Sequence, residues 1–319
     1  MKYLGIDLGG TNIAAGVVTQ DYQIIGRGKA KTTVPCSEEE MIIQLANAAN
    51  AALADANESI EQMAWIGVGC PGAVNTDTGI IEFSSNLFFH NFRLKTKLEE
   101  KLGKKVFIAN DANAAAYGEF LAGALKGSQN SLAITLGTGV GCGIIIHGRI
   151  YSSSNFSAGE MGHMVIEMNG RPCHCGRKGC WERYAAATGL KQTTREFMEA
   201  SEDHTSPIWK LVNDNLENIS GRTAFDAMRA GDPVGQAIVD QYIQHLGCGI
   251  TNAVNIFEPE TLCIGGGVSN EGNTLLEPLQ EYVDKEQYPI TGKRTRVCLA
   301  QLGNDAGIIG AAFLGNLAE

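Results

Sequence analysis

The chain has 319 residues, a formal charge of −10 and 44% hydrophobic residues, enough for a sizeable core and, by length, for about two domains. The acidic balance argues against nucleic acid or an anionic membrane as a partner, because both are bound through basic patches. The 39 glycines have no repeating period, which excludes a collagen-like chain and favours tight turns and close backbone approaches.

The cysteines and the N-terminal segment favour a reducing compartment. Nine cysteines, an odd number scattered over a long chain, do not suit a disulfide framework. The segment MKYLGIDLGG carries a lysine and then an aspartate in its apolar run, so it is not expected to be a secretory signal. No run approaches the roughly 18 apolar residues of a membrane span. We therefore expect a cytoplasmic protein.

Strands and helices alternate along the chain, which predicts an α/β protein. In chain order the expected elements are two strands within 4–18, a helix over 37–56, a strand within 63–74, a strand and then a helix within 104–124, two strands within 132–146, a helix over 235–257, a strand over 261–267 and a last helix over 305–317. The helix over 37–56 has a serine cap and acids in its first turn, as helix starts commonly do.

Two segments of the chain are near-repeats of each other. LGIDLGGTNIAAGVV (4–18) aligns without gaps on LAITLGTGVGCGIII (132–146), and each has an apolar strand, a Gly/Thr turn and a second apolar strand. This pattern is typical of a β-hairpin. Two hairpins in one register predict two related domains. We expect an N-terminal lobe over 1–120 and a C-terminal lobe over 121–303, with a C-terminal helix at about 304–319 as a candidate to pack back on the first lobe.

Glycines and threonines stand at the tips of both hairpins, in DLGGTN and LGTGVG. Backbone N–H groups of such turns can form an anion nest, and threonine hydroxyls add donors. The alternative is that they are ordinary hairpin turns. Neither a P-loop nor a helix-opening Gly-x-Gly-x-x-Gly is present. The predicted nucleotide-binding residues are Gly9, Gly10, Thr11, Asn12, Gly137, Thr138 and Gly139 at the phosphates, Gly265, Gly266 and Gly267 at the nucleoside, and Asp7 as a possible Mg²⁺ ligand.

The segment ANDANAAA places Asn110 and Asp111 between a predicted strand and a predicted helix. Both residue types are preferred helix N-caps, and capping is one interpretation. The other is that Asp111 is a general base with Asn110 as a hydrogen-bonding partner. Phosphoryl transfer requires such a carboxylate to accept the proton of the attacking hydroxyl.

The segment CHCGRKGC holds three cysteines within eight residues, downstream of GEMGH. His163, Cys173, Cys175 and Cys180 form a Cys₃His set, which suits a tetrahedral structural zinc site. Disulfide pairing among these cysteines is the competing interpretation. His174 lies between two of the cysteines and is left out, because adjacent residues seldom both reach one metal ion.

Six segments together resemble the ROK family of sugar kinases and repressors: DLGGTN, GCPGAV, ANDANAAA, LGTGVG, GEMGH and CHCGRKGCWE. The resemblance runs from about residue 3 to the C-terminus. It implies the actin-like ATPase (ribonuclease H-like) fold, an α/β architecture with two lobes, duplicated domains and a central cleft.

The resemblance also implies roles for individual residues. Asp111 resembles the catalytic base that activates the 6-hydroxyl of a hexose, and His163 is expected to face zinc with one ring nitrogen and the sugar with the other. The zinc would be architectural, because four protein ligands fill its coordination sphere. The implied sugar-binding residues are Gly72, Asn86, Asn110, Asp111, Glu160, His163 and Glu182.

The family contains kinases and repressors, and a kinase is expected here. Repressors carry a DNA-binding helix-turn-helix ahead of the first glycine loop, which in this chain lies within the first residues. The less favoured alternative is a sugar sensor without catalysis. ATP with Mg²⁺ is the expected donor, and polyphosphate is an open alternative. Relatives are commonly dimers, so a homodimer is expected, with no nucleic-acid or membrane partner.

Glucose is the expected substrate, converted to glucose 6-phosphate. Trp181, which precedes Glu182 in GCWERY, is similar to the glucokinase branch of the family, although it has the alternative interpretation of a core aromatic residue. The alternative substrates are N-acetylmannosamine, another N-acetylhexosamine, mannose and fructose.

Overall fold

The computed structural model describes residues 1–201, 204–289 and 292–317. The strands are β1 Lys2–Leu8, β2 Asn12–Thr19, β3 Ile24–Lys31, β4 Met63–Cys70, β5 Ala73–Asn75, β6 Ile80–Ser84, β7 Phe89–Phe92, β8 Val106–Asn110, β9 Ser131–Leu136, β10 Val140–Ile146, β11 Arg149–Ile150, β12 Thr261–Gly265 and β13 Arg296–Leu299. The helices are α1 Glu38–Asp55, α2 Leu94–Leu102, α3 Asp111–Ala122, α4 Glu182–Ala185, α5 Ala187–Ala200, α6 Pro207–Leu211, α7 Thr223–Arg229, α8 Pro233–Phe257, α9 Asn273–Glu286 and α10 Asp305–Ala312. Short 3₁₀ helices cover Ile60–Gln62, Met161–His163, Leu216–Asn218, Gly267–Glu271 and Leu314–Leu317.

The chain divides into two compact units. The first unit comprises Met1–Ala133, Gly143–Gly159 and Ala300–Glu319, and the second comprises Ile134–Cys142 and Glu160–Leu299. The lobes expected over 1–120 and 121–303 stay a prediction. Among the described residues, no helix combines the length and apolar character that crossing a membrane requires.

Two sheets have equivalent strand orders, β3-β2-β1-β4-β8 and β11-β10-β9-β12-β13. In the first sheet β1, β2 and β3 pair antiparallel, whereas β1, β4 and β8 are parallel neighbours. The near-repeat hairpins β1–β2 and β9–β10 occupy the same places in the two orders. The duplication that the near-repeat predicts is therefore confirmed, and the α/β class with it. A small sheet, β5-β6-β7, follows β4 in the chain.

The predicted helix over 37–56 is confirmed as α1, which begins with a capping box. The Ser37 hydroxyl accepts from the Glu40 backbone N–H at 3.2 Å, and the Glu40 carboxylate accepts from the Ser37 N–H at 2.8 Å. Such reciprocal bonds satisfy two N–H groups that the first helical turn leaves unpaired. The last predicted helix, over 305–317, is shorter than expected: α10 ends at Ala312, and the chain continues as a 3₁₀ turn.

Helix α10 lies directly on the first sheet and on α3, because glycines provide the contact surfaces. A Cβ on Gly5 of β1 would lie 2.0 Å from the Ile308 carbonyl oxygen, and one on Gly310 would lie 1.7 Å from the Ala114 carbonyl oxygen. Side chains at these positions would push the backbones apart. The close packing holds α3, whose first residue is Asp111, against the sheet.

Candidate active site

In the first unit, three parallel strands end side by side with reactive side chains. The register pairs Asp7 of β1 with Gly69 of β4, and Cys70 of β4 with Asn110 of β8. The carboxyl ends of parallel strands meet at one edge of a sheet, where α/β proteins commonly bind ligands. Asp111 follows Asn110 at this edge as the first residue of α3.

Asn110, and not Asp111, is the N-cap of α3. Its side-chain oxygen accepts from the backbone N–H groups of Ala112 at 2.9 Å and Asn113 at 3.3 Å, and its amide nitrogen donates to the Gly72 carbonyl at 3.1 Å. Capping, one of the two interpretations left open, therefore holds for Asn110. The carboxylate of Asp111 is not needed as the cap, and one of its oxygens accepts from the Ala112 N–H at 2.9 Å.

The two carboxyl groups at this edge resist ionisation. Burial, and secondarily the charge of Asp111, raises the pKa of Asp7 from 3.8 to about 6. Burial also raises the pKa of Asp111, although the Ala112 N–H opposes this shift by stabilising the carboxylate. A carboxyl group with a raised pKa is a stronger base once ionised, which suits proton abstraction, and a site with two crowded acids favours a bound cation.

The first glycine loop is a tight turn between β1 and β2. The Gly9 N–H donates to the Asn12 carbonyl at 2.9 Å, and the Thr32 hydroxyl donates to the Gly9 carbonyl at 2.7 Å. Gly10 and Thr11 are exposed at the tip. Their backbone N–H groups have no backbone partner among the described residues. The loop is thus held by its ends and presents free donors at its tip, as an anion nest requires.

The second glycine loop, in the second unit, is fixed by its own carbonyl groups and by Glu182. The carbonyls of Gly137 and Thr138 accept from the Ala187 N–H at 3.0 Å and the Thr188 hydroxyl at 2.9 Å. The Glu182 carboxylate accepts from the Val140 N–H at 3.1 Å. These contacts hold the two carbonyls against α5 and the Val140 N–H against α4, and they leave Thr138 exposed at the tip.

The third glycine segment lies beside the second. Strand β12 ends at Gly265 instead of reaching residue 267, because Gly266 has φ +88°, outside the range of a strand. A Cβ on Gly266 would lie 2.4 Å from the Leu136 carbonyl oxygen, so only glycine fits between the two segments. Gly267 then begins a 3₁₀ helix.

The four residues of the predicted zinc site come together in the second unit. The ligand atoms of His163, Cys173, Cys175 and Cys180 all lie within 4.8 Å of one another. Cys173 Sγ is 3.5 Å from His163 Nδ1, and Cys175 Sγ is 3.6 Å from Cys180 Sγ. Both distances are near the edge of about 3.8 Å that a tetrahedron with bonds of about 2.3 Å would have. These residues therefore fit a tetrahedral metal ion.

The chemistry of the thiols also suits a metal. Burial, with the neighbouring thiols, raises the pKa of Cys180 to about 12, so a cation is needed to keep this thiolate at neutral pH. The cysteines are free thiols, which does not favour the disulfide alternative. The other ring nitrogen of His163, Nε2, is 3.9 Å from the exposed carboxylate of Glu160. The Nδ1 atom of His163 thus faces the thiols, and its Nε2 atom faces Glu160, a predicted sugar-binding residue.

The remaining residues that were predicted to bind the sugar are distributed over both units. Gly72 is tied to Asn110, and its φ of +114° favours glycine. Asn86 lies in an exposed turn between β6 and β7. Glu160 and Glu182 lie just outside the two ends of the segment 163–180 that carries the Cys₃His cluster.

Comparisons with known proteins agree with the fold and the motifs. A model of the ROK family matches residues 3–317. The chain belongs to the ROK family. It is 37% identical to a glucokinase from Halalkalibacterium halodurans, over 98% of this chain and 94% of that protein, and 36% identical to a glucokinase from Thermotoga maritima, over 98% and 97%. A solved ROK family glucokinase from Streptomyces griseus, in complex with glucose and AMPPNP, superposes with a TM-score of 0.82 at 32% identity and covers 98% of this chain and 99% of that chain.

In this ROK chain, Trp181 is a core residue. Its side chain is fully buried, its indole N–H donates to the His245 carbonyl at 3.0 Å, and Gly249 packs against the ring. The core-aromatic interpretation therefore holds.

Two supporting residues were not found from the sequence. Thr188 binds the second glycine loop. Arg171 anchors the segment 163–180 by donating to the Arg183 carbonyl at 2.9 Å and to the Thr193 hydroxyl at 3.0 Å. No spacing pattern marks either one. Their partners are known only after the chain folds.

Proposed function

We propose that this ROK protein transfers the γ-phosphoryl group of ATP to the 6-hydroxyl of glucose. The observation that carries the proposal is Asp111, a partly buried carboxylate with a raised pKa at the carboxyl edge of the first sheet, in a chain that is 34–37% identical to four glucokinases. A repressor or a passive sensor has no use for a base at this place.

In the proposed reaction, Asp111 accepts the proton of the 6-hydroxyl as its oxygen attacks the γ-phosphorus. The bond between the γ-phosphorus and the bridging oxygen breaks, and ADP leaves. The Ala112 N–H, donating to one carboxylate oxygen at 2.9 Å, fixes the orientation of the Asp111 side chain. Asn110 would bind a sugar hydroxyl through its amide group while it caps α3.

The glycine loops would hold the phosphates. Backbone N–H groups at Gly10 and Thr11, and the corresponding groups of the second loop at Thr138 and Gly139, would donate to phosphate oxygens. Mg²⁺ neutralises phosphate charge when it is bound, and Asp7 is the proposed protein group on its side. The raised pKa of Asp7 is consistent with this role, because a cation would favour the ionised carboxylate.

Zinc is the proposed ion of the Cys₃His cluster, where it would hold the loop over 163–180 in shape. His163 Nε2 in that loop, with Glu160 and Glu182 just outside its two ends, would bind sugar hydroxyls. Coordination through Nδ1 would fix the tautomer of His163 and thereby the donor that Nε2 offers. Gly72 and Asn86 complete the proposed sugar-binding set.

Other hexoses are the alternative substrates, since the buried Trp181 does not itself select the sugar. A phosphorylation assay with glucose, mannose, fructose, N-acetylmannosamine and N-acetylglucosamine tests the proposal, with ATP and polyphosphate compared as donors. We expect the highest kcat/KM for glucose with ATP. A higher value for an N-acetylhexosamine would replace glucose as substrate, and no ADP release with any sugar would refute the kinase.

We further propose a cytoplasmic homodimer that supplies glucose 6-phosphate to glycolysis, without a nucleic-acid or membrane partner. The soluble donor and the free cysteines support the compartment. Light scattering after gel filtration measures the oligomeric state, and a mass of one chain would refute the dimer.

A further inference from the structure

A single residue, Thr32, holds the first glycine loop from one side. Its hydroxyl donates to the Gly9 carbonyl at 2.7 Å, and its backbone N–H donates to the Thr11 carbonyl at 3.0 Å. Thr32 is buried, directly follows β3 and lies outside every motif that resembles the ROK family. Two carbonyl groups of the loop are therefore drawn to the same side by one residue.

The direction of a carbonyl group also fixes the N–H group of the same peptide. A trans peptide is planar, and its C=O and N–H bonds point in opposite directions. The Gly9 carbonyl shares its peptide with the Gly10 N–H, and the Thr11 carbonyl shares its peptide with the Asn12 N–H. Thr32 thus turns both N–H groups away from itself. The Gly10 N–H has no backbone partner among the described residues, so it is available to a ligand.

The second glycine loop is held in the same manner from the start of α5. The Ala187 N–H donates to the Gly137 carbonyl at 3.0 Å, and the Thr188 hydroxyl donates to the Thr138 carbonyl at 2.9 Å. One backbone N–H and one threonine hydroxyl again bind two carbonyls, so the N–H groups of Thr138 and Gly139 are turned the other way. The arrangement occurs in both halves of the duplication, although the threonine follows a strand in the first and lies in a helix in the second.

Glycine makes such bonds necessary. The peptide between Gly9 and Gly10 rotates easily, because neither residue has a Cβ that restricts the backbone. Without the bond from Thr32, the Gly10 N–H would point in several directions. A ligand that needs this donor would lose affinity by having to order it.

We propose that Thr32 is a positioning residue for the nucleotide, which aims N–H groups of the first glycine loop at the phosphates. Thr188 has the corresponding role in the second loop. This inference rests on the proposed function, because it takes the glycine loops as the phosphate site. Thr188 is exposed, so water can replace its hydroxyl, whereas the buried hydroxyl of Thr32 has no such substitute. The larger contribution is therefore expected from Thr32.

The test is the dissociation constant of AMPPNP with Mg²⁺, measured by calorimetry in the presence of glucose. The dissociation constant of glucose without nucleotide is measured beside it. Thr32→Val removes the hydroxyl and keeps the backbone N–H, whereas Thr32→Ser keeps both. Thr33→Val is the matched control, because it makes the same change one residue further on, where the described hydrogen bonds of Thr33 use only its backbone.

The expected result is a loss of nucleotide affinity alone. Removing one buried hydrogen bond should weaken AMPPNP binding about tenfold in Thr32→Val, and Thr32→Ser and Thr33→Val should stay within about twofold of the unmodified protein. The glucose affinity should be the same in all four proteins. Thr188→Val should weaken AMPPNP binding less than Thr32→Val does.

The opposite results would overturn the proposal. Unchanged AMPPNP affinity in Thr32→Val, or an equal loss in Thr32→Ser, would show that the hydroxyl does not position the loop. An equal loss of AMPPNP and glucose affinity would show only a general weakening of the fold. If Thr32→Val does not fold, Thr32→Ala is measured in its place.

The proposed function is decided separately, by the unmodified protein. If this protein does not bind AMPPNP, the nucleotide site is refuted, and the role of Thr32 is refuted with it. If it binds AMPPNP and Thr32→Val binds equally well, only the role of Thr32 is refuted.

Discussion

Replacing Gly139 by alanine tests whether Glu182 joins the second glycine loop to the proposed sugar site. A Cβ at residue 139 would lie 2.3 Å from Glu182 Oε2, well inside contact distance. The same oxygen accepts from the Val140 N–H at 3.1 Å. Because the obstructing atom is the end of a flexible side chain, the carboxylate moves aside and the fold is kept, but the bond to Val140 is lost.

The magnitude follows from the bond that is broken. Hydrogen bonds to charged groups contribute about 1.5–3 kcal/mol, and Glu182 is only partly buried, so about 1–2 kcal/mol is appropriate. If Glu182 positions the sugar, this loss weakens glucose binding by roughly 5- to 30-fold. The thermal midpoint should change by only a few degrees, because the displaced side chain is rehydrated.

The assay is the dissociation constant of glucose, measured by calorimetry without nucleotide, so that direct effects on ATP do not contribute. Gly137→Ala is the matched control. It lies in the same loop and adds the same methyl group, but nothing lies within 4 Å of its Cβ. We expect weaker glucose binding for Gly139→Ala and unchanged binding for Gly137→Ala. Equal glucose affinity in both variants would refute the link, even if both raise the KM for ATP.

Three further predictions address the base, the metal site and the crowded carboxylates. Asp111→Asn should keep the fold and the glucose affinity but lose several orders of magnitude in kcat, and turnover within about tenfold of the unmodified enzyme would rule out the base. Cys175→Ser should lower the zinc content measured by elemental analysis and weaken glucose binding, so full metal content would contradict the ligand set. Asp7→Asn should stabilise the fold at pH 7 by at most about 3 kcal/mol, because the raised pKa of Asp7 destabilises the folded state increasingly as the pH rises from 3.8 to about 6. The two proteins should unfold at similar temperatures near pH 4, and equal midpoints at pH 7 would show that Asp7 is not strained.

Local patterns in the sequence predict the elements because their causes are local. The capping box at Ser37 and Glu40 depends on residues three apart, and it forms as expected. The hairpins of the near-repeat depend on alternating apolar residues and a short turn, and they take equivalent places in two sheets of equivalent order. Three cysteines and one histidine close together in the sequence suit a tetrahedral metal site, and their four ligand atoms do come together.

Contacts between distant residues lie beyond such patterns. The sequence left open whether the Asn110–Asp111 pair serves as a helix cap or as a base with its partner, because both residue types are good caps. The structure shows Asn110 as the cap, and the contact of its amide nitrogen with the distant Gly72 carbonyl could not be read from the sequence. Likewise, the sequence around Trp181 does not tell whether its side chain faces a ligand or the core. Its complete burial against Gly249 shows that it is a core residue.

The sequence by itself therefore determined the α/β class, the duplication, the family and the chemistry available, since these depend on residue type and spacing. The tertiary structure alone decided which atoms of those residues are already engaged. Asn110 Oδ1 is engaged by a helix and Glu182 Oε2 by a loop, whereas Asn113 Oδ1 has no partner among the described residues. The physical reason is that a hydrogen bond requires a donor and an acceptor about 3 Å apart. Only folding brings the atoms of residues that are far apart in the chain to such a distance.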